Sequence, residues 1–205
     1  MPWLLQTERN PYLQLMKSIA VYCGSSAGVN GVYQEQTRLL GQALVHNKIN
    51  VVFGGGKVGL MGVLADAVLE AGGHVTGIIP GFLHVKEVAH DGLSEMISVE
   101  TMHERKAMIN DMSDGVIALP GGFGTLDELF EMLTWGQLGL HQKPVGILNT
   151  NGYYTHILEA IGAMVTEGFL KKVNMEMVLV SEEIEELLEQ MYTYRAPAVP
   201  KWIIS

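Results

Sequence analysis

The sequence predicts a doubly wound α/β fold, in which a mostly parallel sheet carries helices on both faces. Short apolar runs rich in β-branched residues alternate along the chain with longer amphipathic segments. Glycine accounts for 24 of 205 residues, above the usual ~7%, and the glycines cluster after apolar runs. With 48% hydrophobic residues the chain can bury one large core, so a single domain is expected.

Each predicted strand is a short aliphatic run. The strands are Ser18–Cys23, Ile49–Phe53, His74–Ile79, Met96–Val99, Gly115–Leu119, Pro144–Leu148 and Met177–Val180. The segments between them have apolar residues at helical spacing. The helices are Tyr33–His46, Leu60–Ala71, Glu104–Met112, Leu126–Leu138, Tyr154–Glu167 and Glu182–Tyr192. Because parallel strands need crossover connections, this alternation predicts a parallel sheet between two helical layers.

Charge and composition exclude several classes of protein. The net charge of -9 argues against non-specific binding of nucleic acid. One cysteine, Cys23, allows no internal disulfide, which favours a reducing compartment, and we expect the cytoplasm. No apolar stretch reaches the roughly 18 to 20 residues that span a bilayer, so no membrane partner is expected. Residues 1–17 are interpreted as an N-terminal arm, 18–195 as the domain and 196–205 as a C-terminal tail.

The first glycine cluster, Gly54-Gly55-Gly56-Lys57-Val58-Gly59, connects a predicted strand to a helix and satisfies G-x-G-x-x-G. A dinucleotide site also needs an acidic residue at the end of the next strand, which here reads Ile78-Ile79-Pro80-Gly81, so NAD is disfavoured. The P-loop pattern is absent, because Val58 follows Lys57 instead of Ser or Thr. A tight turn without a ligand remains an alternative.

The second cluster follows another apolar strand and reads Pro120-Gly121-Gly122-Phe123-Gly124-Thr125-Leu126-Asp127-Glu128. Its glycines allow close approach of an anion, and the helix that follows directs free N–H groups to the same place, so a phosphate fits. The alternative is a capping box, T-x-x-E, formed by Thr125 and Glu128.

A third segment, Met102-His103-Glu104-Arg105-Lys106, places two cations near a helix start, where the helix dipole disfavours them. An anionic ligand would relieve this conflict, whereas a solvated basic pair is the alternative. The seven histidines form no recognisable metal motif, so no metal is expected. Cys23 ends an apolar strand and is interpreted as a core residue, not a nucleophile.

Together with Cys23-Gly24-Ser25-Ser26, these motifs resemble the lonely-guy (LOG) family, whose members are cytokinin riboside 5′-monophosphate phosphoribohydrolases. The resemblance runs from about Ile19 to Met191. It implies a Rossmann-like fold, a homodimer, no cofactor, and hydrolysis of the N-glycosidic bond of N6-substituted adenosine 5′-monophosphates, with AMP accepted by some relatives. Asp127 departs from the glutamate that many members have at this position.

The resemblance also implies roles for residues. Arg105 and Glu128 match the catalytic pair. The residues that match substrate or phosphate contacts are Gly24, Ser25, Gly55, Gly56, Glu87, Lys106, Gly121, Gly122, Phe123, Gly124, Thr125, Leu126, Asp127 and Thr134. An older label of such sequences, lysine decarboxylase, is set aside because no lysine here is singled out for a pyridoxal phosphate Schiff base.

Cleavage of an N-glycosidic bond builds positive charge on the ribose, and a carboxylate can stabilise it or orient the attacking water. We assign this role to Glu128 and expect the nearby helix start to keep it ionised. Arg105 either holds the 5′-phosphate or steadies the leaving base. The competing interpretations are a non-catalytic nucleotide-binding or sensor module and, after it, an NAD-dependent oxidoreductase.

Overall fold

The computed structural model describes residues 16–84 and 89–197. Within them the chain forms one seven-stranded sheet in the order β4-β3-β2-β1-β5-β6-β7, and every neighbouring pair is parallel. The predicted doubly wound fold is therefore confirmed. Most of the predicted N-terminal arm and of the predicted C-terminal tail lies outside the described residues.

The strands match the predicted runs to within a residue at most ends. They are β1 (Ser18–Tyr22), β2 (Asn50–Phe53), β3 (Val75–Pro80), β4 (Glu95–Val99), β5 (Gly115–Ala118), β6 (Val145–Leu148) and β7 (Val178–Ser181). The helices are α1 (Gly31–His46), α2 (Gly59–Glu70), α3 (Gly81–His84), α4 (Met102–Asp111), α5 (Phe123–Gln137), α6 (Thr155–Thr166), α7 (Lys172–Met175) and α8 (Ile184–Thr193). None of the helices in this part of the chain is both long and apolar enough to cross a membrane.

Alternation along the strands divides the core into two layers. Ile19 and Val21 of β1 pack with residues of α1, α2 and α8, whereas Ala20 and Tyr22 pack with residues of α4, α5 and α6. Successive side chains of a strand point to opposite faces, which produces this division. Tyr22 therefore lies on the face of the sheet that carries α4 and α5.

The start of α5 differs from the prediction. The helix begins at Phe123 rather than at Leu126, because Gly122 is its N-cap and accepts the first intrahelical hydrogen bond, from the Leu126 N–H at 3.1 Å. Gly122 has no side chain with which to cap, so sequence patterns for helix starts miss it. Thr125 is buried inside the helix, and the alternative that it forms a capping box with Glu128 is wrong.

A capping arrangement of the same kind occurs at α4 instead. The Thr101 hydroxyl accepts from the Glu104 N–H at 3.1 Å, and the Glu104 carboxylate accepts from the Glu100 N–H at 2.9 Å. The helix consequently begins at Met102, earlier than the predicted Glu104. This start fixes where Arg105 and Lys106 project.

The strand order identifies where on the carboxyl edge of the sheet a ligand would be expected to bind. From β1 the chain moves outward through β2, β3 and β4, then returns to place β5 on the other side of β1. At such a reversal the loops at the carboxyl ends of the two strands separate and leave a crevice. The loops after β1 and β5 meet here, since the Gly24 N–H donates to the Pro120 carbonyl at 3.0 Å.

Candidate active site

The start of α5 provides the donors for an anion. The N–H groups of Phe123, Gly124 and Thr125 precede the first intrahelical bond and have no acceptor within the helix. Apart from chain neighbours and the backbone of α5 itself, no atom of the described residues lies within 4 Å of where a Cβ would stand on Gly122 or Gly124. The predicted phosphate loop is thus an open helix start, and negative charge is favoured beside it.

The loops after β1 and β2 form the opposite side. Gly24 bonds the β5 loop through its N–H and accepts from the Leu60 N–H of α2 at 3.0 Å. The Gly55 carbonyl accepts from the His90 N–H at 2.9 Å, and Gly56 pairs with Ala89 in an isolated bridge. The structure therefore joins these predicted glycines into one edge. Ser25 is exposed beside Gly24.

Arg105 joins two of the strand ends. Its Nε donates to the Ile78 carbonyl at 3.0 Å and its Nη2 donates to the Gly54 carbonyl at 3.1 Å. Among the described residues, Nη1 makes only a 3.9 Å contact with the sulfur of Met102. Arg105 is therefore anchored by the protein through two of its nitrogens, and the alternative of a freely solvated basic pair is wrong for this residue.

Lys106 is also paired. Its Nζ lies 3.1 Å from an oxygen of Asp127 and 3.1 Å from an oxygen of Glu131, and its side chain is mostly buried. Burial alone lowers the pKa of this ammonium, but the hydrogen bonds to both carboxylates outweigh burial and raise it. Lys106 remains charged and links α4 to α5.

Glu128 has a pKa raised to about 7. The largest cause is burial; the charges of Asp127 and Glu131 act in the same direction, and those of Arg105 and Lys106 oppose them. The expectation that the nearby helix start keeps Glu128 ionised is wrong, because burial dominates its pKa and because α5 begins early and places Glu128 in its second turn, where the dipole has faded. Near neutral pH this carboxyl exists in both protonation states.

The end of β1 lies beside the same carboxyl. Burial and then the charges of Glu128 and Glu131 raise the pKa of Tyr22, and burial and Glu128 raise the pKa of the Cys23 thiol. Cys23 packs in the core and is not poised as a thiolate nucleophile, as predicted. Tyr22 was not among the predicted site residues, because nothing in the spacing of the sequence places it beside Glu128.

Two of the predicted contact residues have side chains that are not brought to this edge. The Thr134 hydroxyl donates to the Phe130 carbonyl of its own helix at 2.7 Å, and its six-residue separation from Glu128 corresponds to about 9 Å along α5. Leu126 is half-buried against the core layer of α4, α5 and α6. Glu87 lies outside the described residues.

Sequence reasoning also missed two tyrosines that follow β6. The hydroxyl of Tyr153 donates to the Gly121 carbonyl, and the hydroxyl of Tyr154 donates to the Leu119 carbonyl, each at 2.6 Å. The turn sequence Asn149-Thr150-Asn151-Gly152 after an apolar strand is the signal that could have placed them at the carboxyl edge. Across residues 16–84 and 89–197, no group of three or more potential ligands is arranged for a metal ion.

Fold and site together define a class: Rossmann-like proteins with glycine-rich loops and an open helix start at the point where the strand order reverses. A family model described as possible lysine decarboxylase matches residues 61–191. The chain is 46% identical over 179 residues to cytokinin riboside 5′-monophosphate phosphoribohydrolase LOG5 of Arabidopsis thaliana, covering 87% of this chain and 78% of that protein. LOG7 of the same plant is 45% identical, with 87% and 82% covered. The chain belongs to this LOG family.

Solved structures agree on the fold. A molybdenum cofactor binding protein from Rippkaea orientalis superposes with a TM-score of 0.64 at 23% identity, covering 84% of this chain and 93% of that one. At that identity the likeness concerns the architecture and carries no statement about ligand.

The words lysine decarboxylase in the family description imply pyridoxal phosphate, and the lysine at this site does not fit it. A Schiff-base lysine is activated by a lowered pKa. Lys106 instead has a raised pKa, since it is held between two carboxylates. The environment of Lys106 thus suits a fixed positive charge and not an amine that condenses with an aldehyde.

Proposed function

We propose that this protein hydrolyses the N-glycosidic bond of nucleoside 5′-monophosphates, with N6-substituted adenosine 5′-monophosphates as its substrate class, and releases free base and ribose 5-phosphate. The observation that carries the proposal is Glu128, a carboxyl with a pKa of about 7 that projects from the same helix whose start offers unpaired N–H donors. A site that only bound a phosphate would gain little from a carboxylate there unless the carboxylate contacted ribose hydroxyls. The names and 46% identity of the relatives support the same activity.

The phosphate is held at the start of α5. The free N–H groups of Phe123, Gly124 and Thr125 point out of the helix end, and the bare Gly122 and Gly124 leave room for the phosphate oxygens. Anchoring the phosphate fixes the position of the ribose relative to Glu128. Binding of the phosphate therefore helps to orient the reacting groups.

Glu128 supplies the chemistry. Side chains on a helix lean toward its N-terminus, so the Glu128 side chain is directed toward the end of α5 that offers the free N–H groups. In its ionised form it stabilises the positive charge that develops on the ribose and accepts a proton from the attacking water. The water oxygen bonds to the ribose carbon, while the electron pair of the broken bond leaves with the base, which takes up a proton.

Arg105 acts through position and charge. Its two carbonyl contacts hold the ends of β2 and β3, and its charge lowers the pKa of Glu128 against the effect of burial. The outcome is that a useful fraction of Glu128 is ionised at neutral pH. Nη1, whose contact with Met102 is weak, is the nitrogen left to meet substrate.

We extend the proposal to finer properties. The protein is a cytoplasmic homodimer that also accepts AMP, and its relevant classification is that of an N-glycosidase. The single buried thiol supports a reducing compartment. Exposed apolar side chains around the carboxyl end of α5, such as Leu138 and Leu140, support a covered surface there.

The test is base release by the purified protein from N6-isopentenyladenosine 5′-monophosphate, AMP and the two corresponding nucleosides, followed by chromatography. We expect release from the monophosphates and at least tenfold slower release from the nucleosides, which lack the anchoring phosphate. If none releases base while the monophosphates still raise the melting temperature, the protein is a nucleotide-binding module and the proposed hydrolysis is wrong.

A further inference from the structure

Tyr153 and Tyr154 hold the β5 loop from the side of β6. Tyr154 is fully buried, and its N–H donates to Asn149 Oδ1 at 2.7 Å, so its ring is fixed. Tyr153 is 43% exposed and packs edge-on against Tyr33, with ring centroids 5.8 Å apart, and against Tyr154 at 5.1 Å. Both hydroxyls reach backbone carbonyls of the loop that leads into α5.

The Tyr153 hydroxyl fixes the orientation of one peptide plane. The described chain contains no cis peptide bond, and in a planar trans peptide the carbonyl and the following N–H point in opposite directions. A hydroxyl that holds the Gly121 carbonyl therefore sets the direction of the Gly122 N–H. The preceding plane is set in the same way, because the Pro120 carbonyl accepts from the Gly24 N–H.

The two N–H groups that this arrangement directs are unpaired. Within residues 16–84 and 89–197, neither the Gly121 N–H nor the Gly122 N–H donates to a protein acceptor. Gly122 is exposed, and open space surrounds the place of its absent side chain. Together with the free N–H groups of α5, these amides form a run of successive unpaired donors, and such runs bind anions.

We propose that Tyr153 is a positioning residue for the substrate phosphate: by holding the Gly121 carbonyl, its hydroxyl aims the Gly122 N–H at a phosphate oxygen. This inference rests on the proposed function for the identity of the ligand. Tyr153 itself makes no contact with substrate. It acts only through the peptide between Gly121 and Gly122.

Tyr154 provides an internal comparison. Its hydroxyl makes a bond of the same length to Leu119, but the next residue is Pro120, which has no N–H. Fixing that peptide plane directs no donor toward a ligand. Loss of the Tyr154 hydroxyl should therefore lower stability through an unsatisfied buried carbonyl, whereas loss of the Tyr153 hydroxyl should weaken phosphate binding.

The experiment compares Tyr153→Phe, Tyr154→Phe and Tyr33→Phe. Tyr33→Phe keeps the edge-on ring pair and removes a hydroxyl for which the described residues offer no hydrogen-bond partner, so it serves as control even if Tyr154→Phe folds poorly. The probes are ribose 5-phosphate, titrated by calorimetry, and a nucleoside 5′-monophosphate in the base-release assay. We expect Tyr153→Phe to raise the Kd and the KM by about tenfold, with kcat within about threefold of wild type. Tyr33→Phe should match wild type.

The inference is overturned if wild type binds ribose 5-phosphate and Tyr153→Phe binds it equally well. It is also overturned if Tyr153→Phe lowers kcat and melting temperature together while leaving KM unchanged, because that pattern belongs to a purely structural role. Failure of the proposed function gives a different result, since wild type itself would then release no base from any monophosphate, whether or not it binds ribose 5-phosphate.

Discussion

The guanidinium of Arg105 occupies the space that a side chain on Gly54 would need. A Cβ built on Gly54 would stand 1.8 Å from Arg105 Nη2, which also donates to the Gly54 carbonyl at 3.1 Å. The first glycine of the G-x-G-x-x-G pattern is therefore explained by an arginine from α4. A dinucleotide is not needed to account for it.

Arg105→Lys keeps the charge but should lose activity. A lysine ammonium cannot reproduce the planar fork that donates to Ile78 and Gly54 at once, so the bridge that the arginine makes between Gly54 after β2 and Ile78 of β3 is lost. We expect kcat/KM for a nucleoside 5′-monophosphate to fall by about 100-fold or more. Arg38→Lys, on an exposed pair with Glu35, is the matched control and should retain full activity. Equal activity in both variants would contradict this role for Arg105.

The pH dependence of kcat/KM should report Glu128. Because the reaction uses the ionised carboxylate, activity should rise with pH through an inflection near pH 7. Lys106 lowers the pKa of Glu128 and Glu131 raises it, so Lys106→Gln should move the inflection to higher pH and Glu131→Gln to lower pH. Shifts of the same sign in both variants, or a decline of activity through pH 7, would show that another group titrates.

Glu128 should cost stability at alkaline pH. Its folded pKa of about 7 lies above the ordinary 4.5, so the folded state binds more protons and stability declines as pH rises from about 4.5 through 7. Glu128→Gln cannot ionise and should be more stable than wild type at pH 8, by up to about 3 kcal/mol. Urea unfolding at pH 5 and pH 8 measures this, with the exposed Glu182→Gln as control. If the difference in unfolding free energy between Glu128→Gln and wild type were the same at pH 5 and pH 8, this explanation would be excluded.

Alanine substitutions should separate structural from ligand-facing glycines. A Cβ on Gly121 would lie 2.1 Å from Thr125 Oγ1, so Gly121→Ala should destabilise the protein by about 1–3 kcal/mol. A Cβ on Gly122 or Gly124 meets nothing within 4 Å, so these variants should melt like wild type. Their KM for a monophosphate should rise about tenfold, because a methyl group stands where phosphate binds. Gly162→Ala, an equally open glycine in α6, is the control.

The strands could be predicted from the sequence because both faces of this sheet are buried, which makes each central strand a short apolar run. Runs such as Gly115–Ala118 are continuously apolar, which is typical of a parallel strand buried on both faces. The position of the glycine loops at one edge followed from the same reasoning, since parallel strands end on the same side. Fold and site location therefore came from local patterns.

The details of the site could not be predicted, because most of them depend on contacts between residues that are distant in the sequence. The start of α5 escaped prediction because Gly122 caps without a side chain, and the T-x-x-E pattern that does form a cap lies at Thr101 and Glu104. The pKa of Glu128 depends on burial and on charges contributed from α4, which no spacing reveals. Tyr153 meets Gly121 only after the sheet has brought β5 and β6 together.

The most direct test of the account compares chemistry with binding in Glu128→Gln. Base release from N6-isopentenyladenosine 5′-monophosphate and the calorimetric Kd of ribose 5-phosphate would be measured for wild type and variant. The account predicts that base release falls by about 1,000-fold or more while the Kd stays within about threefold, because Glu128 acts on the ribose and the phosphate is held by backbone N–H groups. A variant that retains base release, or that loses ribose 5-phosphate binding together with base release, would contradict the assignment of Glu128 as the catalytic carboxylate.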